Sequence, residues 1–395
     1  MQYKKNIRVN YVFSLIRNFS VTQGIWMLFL ASRGLTLLEI GLMEGIFHAT
    51  SLVMETPTGA VADIFGRKAS RLTGCILAII SSAMLLFADS FIMYALSFVV
   101  SALSYNFESG AGDALVYDSL LLDGCEETYM KVVGRGEVIF QTAGILGLAL
   151  GGVLGSVKYE WAYVASIALT VAALLIGTLF REPRTAPRER VNILTALKRQ
   201  YVDSFAALRG SARLKYLLLV LPVFSASVTL SFYYMQIAWE QAQVSTLGIG
   251  LYLSASAVAS AAGAYFAHRI EKRVGERVLL TGIPVIIALM LFLLCLGKFA
   301  IVPFCLLNAA EAVLFVATRD YLNRIIPSAQ RATILSLESM LFSLVMILIF
   351  PLFGGISDII TIPKTFLLLG GLMVLLAAGN GIAVPRAAVL KKDEL

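Results

Sequence analysis

Gly59-Ala60-Val61-Ala62-Asp63-Ile64-Phe65-Gly66-Arg67-Lys68 places two glycines, one acid and two bases in ten residues, between two long apolar runs. A residue without a side chain at 59 allows close helix packing, and one at 66 allows a tight turn. Asp63, Arg67 and Lys68 are positioned to pair with charges on neighbouring helix ends. A short charged turn between two apolar segments describes a helical hairpin.

Outward from this turn, apolar runs of about 20 residues recur, the length that crosses a bilayer. Hydrophobic residues make up 58% of the 395 and charged residues only 14%. Ordinary soluble proteins carry about 25% charged residues, so a water-soluble fold is excluded. A transmembrane barrel would alternate in segments of about 10 residues, which this sequence does not do. The pattern predicts an all-α membrane protein with twelve spans, near 9–32, 37–62, 70–88, 90–121, 134–157, 159–180, 216–241, 245–268, 278–297, 299–319, 333–357 and 363–384.

Alternate loops differ sharply in charge. One side receives 27 Lys and Arg, among them Lys4, Arg67, Lys68, Arg71, Lys131 and nine between Arg181 and Lys215; the other receives Arg33, Lys158, Lys298 and Lys364. The positive-inside rule then puts both termini in the cytoplasm. It also accounts for the net charge of +7 without a nucleic-acid partner. The first run is too long for a cleavable signal peptide and contains Arg17. Cys75, Cys125, Cys295 and Cys305 show no spacing that suggests a disulfide or a metal site.

The long polar segment from Arg181 to Lys215 divides the chain into a six-helix bundle at 1–182, a linker at 183–215 and a second bundle at 216–395. An amphipathic stretch at 191–208 is expected along the inner membrane surface. The halves echo each other. Gly263 to Arg277 follows the eighth span as Gly59 to Lys68 follows the second. Tyr117-Asp118-Ser119-Leu120 ends the fourth span and Arg319-Asp320-Tyr321-Leu322 the tenth. Two bundles related by an axis along the membrane normal are expected.

Gly59 to Lys68 closely resembles the loop motif G-x-L-x-D-x-x-G-R-K of the major facilitator superfamily, with Val61 in place of leucine. With twelve spans split six and six, the resemblance extends over the whole chain and implies a transporter working by alternating access. It also implies that Asp63, Arg67 and Asp118 form a charge network latching the cytoplasmic side. The alternative is a basic loop that only sets topology. Ala143, Gly147, Leu148, Gly151 and Gly152 are similar to the family's antiporter motif, G-x-x-x-G-P-x-x-G-G. A packing face of Gly147, Gly151 and Gly155 explains the same glycines without reference to direction. Drug antiporters of the family carry an arginine four residues before a glycine on helix four. Asn106 stands there, before Gly110, which leaves Arg17 as the intramembrane base.

Helical phase groups the polar residues. Asn106, Gly110, Asp113 and Tyr117 share a face of the fourth span, with Glu108 pointing away. Asn308, Glu311, Phe315 and Thr318 share one on the tenth. Ser225, Thr229, Phe232, Gln236 and Trp239 do so on the seventh, and Tyr11, Asn18, Thr22 and Phe29 on the first. By resemblance these four helices line the central cavity. Ionisable residues inside a bilayer cost several kcal/mol and are functional candidates. Here they are Arg17, Glu55, Glu108, Asp113, Glu311 and Glu338, with at least one of Asp113 and Glu311 expected to couple protons, Asp113 first because it shares a face with Asn106 and Tyr117. In the structural alternatives, Glu55 braces the Pro57 kink and Glu108 pairs with Arg17 or a hydroxyl.

Lys392-Asp393-Glu394-Leu395 matches a retention signal read in the lumen, the wrong side for a cytoplasmic tail. His48 and His268 lack metal-ligand spacing, so no metal is expected. No phosphate-binding loop or nucleophile–base pair supports an enzyme or an ATP-driven pump. The expectation is a monomeric secondary transporter in the bacterial inner membrane, moving a small, partly hydrophobic molecule by proton-coupled efflux. It needs no cofactor, only lipid bilayer, substrate and a proton gradient. Proton-symport uptake and a non-transporting sensor are the alternatives.

Overall fold

The computed structural model describes residues 3–183, 212–326 and 331–387, which form α-helices and short 3-10 turns with no strand among them. The linker expected at 183–215, its amphipathic stretch and the Lys392–Leu395 tail lie wholly or largely outside the described residues. The helices are α1 (Lys4–Arg17), α2 (Trp26–Ser32), α3 (Leu37–Phe65), α4 (Arg67–Phe87), α5 (Phe91–Leu122), α6 (Tyr129–Val157) and α7 (Tyr159–Gly177). They continue with α8 (Ala212–Leu219), α9 (Leu221–Gln241), α10 (Thr246–Leu293), α11 (Ile301–Ile325), α12 (Arg331–Ile360) and α13 (Ile362–Ala387). Two compact units result. The first comprises Met1–Leu35, Met43–Leu197 and Thr246–Leu251, the second Thr36–Leu42, Lys198–Ser245 and Tyr252–Leu395.

Ten segments among the described residues are long and apolar enough to cross a membrane. Two local features separate that number from twelve. The first expected span, 9–32, is not one helix. α1 stops at Arg17, Asn18 caps it with its side-chain amide 2.8 Å from the Ser14 carbonyl, and the chain is helical again only from Trp26. The interruption reads Phe19-Ser20-Val21-Thr22-Gln23-Gly24. Ser and Thr hydroxyls compete for backbone groups, Val and Thr are β-branched, and Gly24 costs a helix about 1 kcal/mol. The second feature is that the eighth and ninth spans run together in α10, separated by a single residue, Gly275.

Gly275 has φ 80° and ψ 161°, and Gly66 has φ 99° and ψ 158°. Side chains beyond Gly avoid this region because of steric strain. The repeat seen in the sequence therefore recurs as one backbone device in each unit.

α6 packs against the broken first span. A Cβ on Gly147 would lie 2.6 Å from the Ser20 amide nitrogen, and one on Gly151 would fall on the Val21 carbonyl oxygen. Gly155 differs, facing the side chains of Thr246 and Ile25 at 3.0 and 3.3 Å. The glycine stripe of α6 is thus a packing stripe, cut to admit irregular backbone.

In the first unit, Val9, Phe13, Cys75, Leu115, Ala173 and Phe180 form a core drawn from α1, α4, α5 and the end of α7. The second unit buries aromatics. Tyr234 packs on Phe350 and Phe353 with centroids at 5.0 and 4.6 Å, and its hydroxyl donates to the Phe350 carbonyl at 2.8 Å. The start of α3, counted with this unit, is capped twice. Thr36 and Glu39 form a capping box, the Thr36 amide donating to Glu39 Oε2 at 2.8 Å and the Glu39 amide to Thr36 Oγ1 at 3.2 Å. The Asp358 carboxylate accepts the Leu37 and Leu38 amides at 3.0 and 2.9 Å.

Candidate functional site

The motif turn is held by charges from four stretches of chain. Arg67 Nη1 lies 2.7 Å from Asp63 Oδ1, one helical turn away, and Arg67 Nε lies 3.8 Å from Asp118 Oδ2 on α5. The three residues expected to form a network are therefore brought together. A third acid, which sequence reasoning missed, completes it. Glu182, just past α7, accepts the backbone amides of Arg67 and Lys68 at 2.7 Å each. Its carboxylate occupies the N-terminus of α4, where the helix leaves its first amides unsatisfied and its dipole favours an anion. Lys68 Nζ donates to the Thr178 carbonyl at 2.7 Å, near the C-terminal end of α7. Gly66 leaves room for this clasp, since a Cβ there would lie 2.6 Å from the Glu182 carboxyl carbon. Glu182-Pro183 directly after a span is the available signal, but in the sequence it marks only the border of the polar linker.

Gly59 requires a correction. Nothing stands within 4 Å of the position its Cβ would take, and the residue is exposed. It lies two residues beyond Pro57 on an open face of α3, so it does not mediate close helix packing in this unit.

Inside the first unit, Glu108 pairs with Arg71, not with Arg17. Arg71 Nε and Nη2 donate to Glu108 Oε1 at 3.0 and 2.8 Å, and its Nη1 donates to Asn10 Oδ1 at 2.6 Å. The guanidinium is stacked over Phe13 and Phe180, at 4.3 and 5.0 Å from their centroids. Arg71 is 2% exposed, although the sequence placed it among loop bases. Arg17 donates to the Ser104 hydroxyl at 3.4 Å. Asn106 is buried and held on both sides by Ser51, donating to its carbonyl at 2.8 Å and accepting its hydroxyl at 2.7 Å. It ties α5 to α3 and has little left to offer a ligand. Asp113 and Tyr117 are exposed on α5, and the Tyr117 ring meets Tyr129 edge-on at 5.3 Å. Glu55 is exposed on α3, two residues before Pro57.

In the second unit, two residues picked by phase alone do meet. Ser225 on α9 donates to Glu311 Oε1 on α11 at 3.0 Å. Glu338 on α12 stands 3.5 Å from the Arg319 guanidinium. Gln236 and Trp239 differ from expectation, for both are fully buried inside the unit. Trp239 is enclosed edge-on by Tyr252 and Phe304 at 5.1 and 5.0 Å. They sit among core side chains on the covered part of α9, while Ser225, Thr229 and Phe232 of the same stripe are partly exposed.

These features have counterparts in known proteins. The MFS-type transporter YxaM of Bacillus subtilis (strain 168), described as uncharacterized, is 34% identical over 82 residues, a stretch covering 20% of this chain and 21% of that relative. The structure of a point mutant of the nucleoside transporter NupG superposes with a TM-score of 0.80 at 14% identity, covering 95% of this chain and 98% of the other. That of a D-xylose-proton symporter gives 0.73 at 15% identity, covering 95% and 96%. At such identities the likeness concerns the fold. The sequence profile of the family extends over residues 10–337, and with the helical units and the motif turn in place, the chain belongs to the Major Facilitator Superfamily.

Proposed function

We propose that this transporter exports a small, partly hydrophobic organic molecule from the bacterial cytoplasm in exchange for protons, by alternating access, with Asp113 and Glu311 as coupling carboxylates. The observation carrying the reading is the Ser225–Glu311 hydrogen bond. It is a carboxylate on an apolar helix, held by a neutral hydroxyl donor, with no ion pair to it among the described residues. Such a group changes its charge when its hydration changes, which is what coupling to a conformational cycle requires. Asp63, Arg67 and Asp118, with Glu182, act as the cytoplasmic latch, and both termini are cytoplasmic. The protein works as a monomer without a cofactor.

Proton-symport uptake is the second reading, favoured by one observation. Of the α6 motif glycines, Gly147 and Gly151 are engaged by the backbone of residues 19–21 and Gly152 by that of Thr246 and Gly250, so packing alone accounts for them and they do not argue for export. Flux of ethidium, uridine and alanyl-alanine into energised inside-out and right-side-out vesicles separates the readings. Export predicts accumulation in inside-out vesicles and collapse when the pH gradient is dissipated. Glu311→Gln is expected to abolish gradient-driven movement while leaving exchange without a gradient. Wild-type gradient dependence in both Asp113→Asn and Glu311→Gln would remove them as coupling sites.

A further inference from the structure

We propose that Glu44 and His48 on α3 form a proton-carrying site of the transport cycle, in which His48 takes up and releases the proton. The proposal rests on the proton-coupled reading above and adds a pair that lies on none of the four helices to which that reading looked.

Glu44, His48, Ser51 and Glu55 stand at i, i+4, i+7 and i+11, so they share one face of α3. At 1.5 Å per residue the stripe runs about 16 Å along the helix, roughly half of a bilayer core. His48 Nε2 is 3.5 Å from Glu44 Oε1, with 13% and 11% of the two side chains exposed. The stripe is fixed against α5. Ser51 and Asn106 exchange two hydrogen bonds at 2.7 and 2.8 Å, and the Phe47 ring lies between His48 at 5.5 Å and Tyr105 at 6.0 Å. Among the described residues, the charged groups on this face of α3 are Glu44 and Glu55, and Tyr105 of α5 stands against Phe47.

The charge arithmetic explains why a proton would matter here. With neutral imidazole the pair carries one negative charge; with imidazolium it carries none. A net charge held among apolar helices costs several kcal/mol, so protonation favours the state in which the stripe is dry and release favours the state in which it is hydrated. The proton enters the imidazole ring from water on one side and leaves to water on the other, and no other bond changes. Imidazole is the side chain whose ordinary titration falls between pH 5 and 8, the range spanned by a proton gradient between near-neutral compartments. A carboxylate alone does not titrate there unless strongly perturbed.

The rival role is structural, with His48 only neutralising Glu44. The chain has two histidines, so 15N-histidine NMR of the full protein in nanodiscs reads His48 directly, with the exposed His268 as internal control. Between pH 8 and pH 5 the His48 signals are expected to change in the wild type, and Glu44→Gln to alter that response while leaving His268 as it was. A His48 signal unchanged across that range would overturn the proposal. In the vesicle assay, His48→Gln should lose gradient-driven accumulation, and Glu44→Gln/His48→Gln should not recover it; recovery in the double variant would assign the structural role. Should the wild type itself be indifferent to the gradient, the proton-coupled reading fails. Should the wild type depend on it and His48→Gln depend on it equally, only this inference fails.

Discussion

Glu182 gives the sharpest test of how the motif turn is built. Its two carboxylate oxygens accept the Arg67 and Lys68 amides at 2.7 Å each, the short range of charge-assisted bonds. Glu182→Gln keeps one oxygen and turns the other into an NH2 group that faces an N–H donor. One charge-assisted hydrogen bond contributes about 1.5–3 kcal/mol, and an anion at a helix N-terminus about 0.3–1 kcal/mol. Glu182 is half-buried, which favours the lower part of these ranges, so the expected loss is about 2 kcal/mol. In a unit of about 150–250 residues each kcal/mol moves Tm by about 2–4 °C, which predicts a fall of about 4–8 °C. Thermal unfolding of purified protein at a fixed scan rate measures it, with exposed Glu126→Gln as the control. Gly66→Ala should destabilise at least as much, because it combines strain at φ 99° with a clash against the Glu182 carboxylate. Gly66→Ala/Glu182→Ala should remove the clash but retain the strain. If Glu182→Gln matches the control within about 1 °C, the clasp does not stabilise the unit and the latch loses its fourth member.

Arg71→Ala removes the guanidinium that holds the largely buried Glu108 carboxylate and should destabilise by about 3 kcal/mol, whereas Glu108→Gln should cost less; equal losses would contradict the pairing. Gly151→Ala puts a methyl group on the Val21 carbonyl and should reduce the yield of monodisperse protein. Gly144→Ala, on the same helix with nothing within 4 Å, should be neutral or stabilise by up to about 1 kcal/mol, and size-exclusion profiles compare them. Asp358→Asn weakens the cap on α3 and should cost about 1 kcal/mol, seen as a Tm lowered by about 2–4 °C. A Tm equal to that of the wild type would show that the Thr36–Glu39 box suffices alone.

The features legible in the sequence were those set by residues near one another along the chain. Apolar length marked the spans, the turn chemistry of Gly66 and Gly275 marked the hairpins, and helical phase placed Ser225 and Glu311 on faces that meet. The break at 18–25 is also local, yet a hydropathy count passes over it, because Val21 and Ile25 are apolar whether or not they are helical. Partners were not legible. Arg71 finds Asn10 61 residues away, Arg67 finds Glu182 at 115, and Leu37 finds Asp358 at 321. Phase assigns a side chain to a face but does not say which helix covers that face, how closely, or whether it covers it completely. For that reason Gly59 is expected in a contact that is absent among the described residues, and Trp239 and Gln236 on the open part of their stripe, where only Ser225, Thr229 and Phe232 are partly exposed. The His48–Glu44 pair shows both sides of this boundary. Its spacing is present in the sequence, but its near burial is a property of the folded unit, in which the neighbouring Phe47 and Ser51 pack on Tyr105 and Asn106 of α5, because an intramembrane charge acquires its cost from helices distant in the chain.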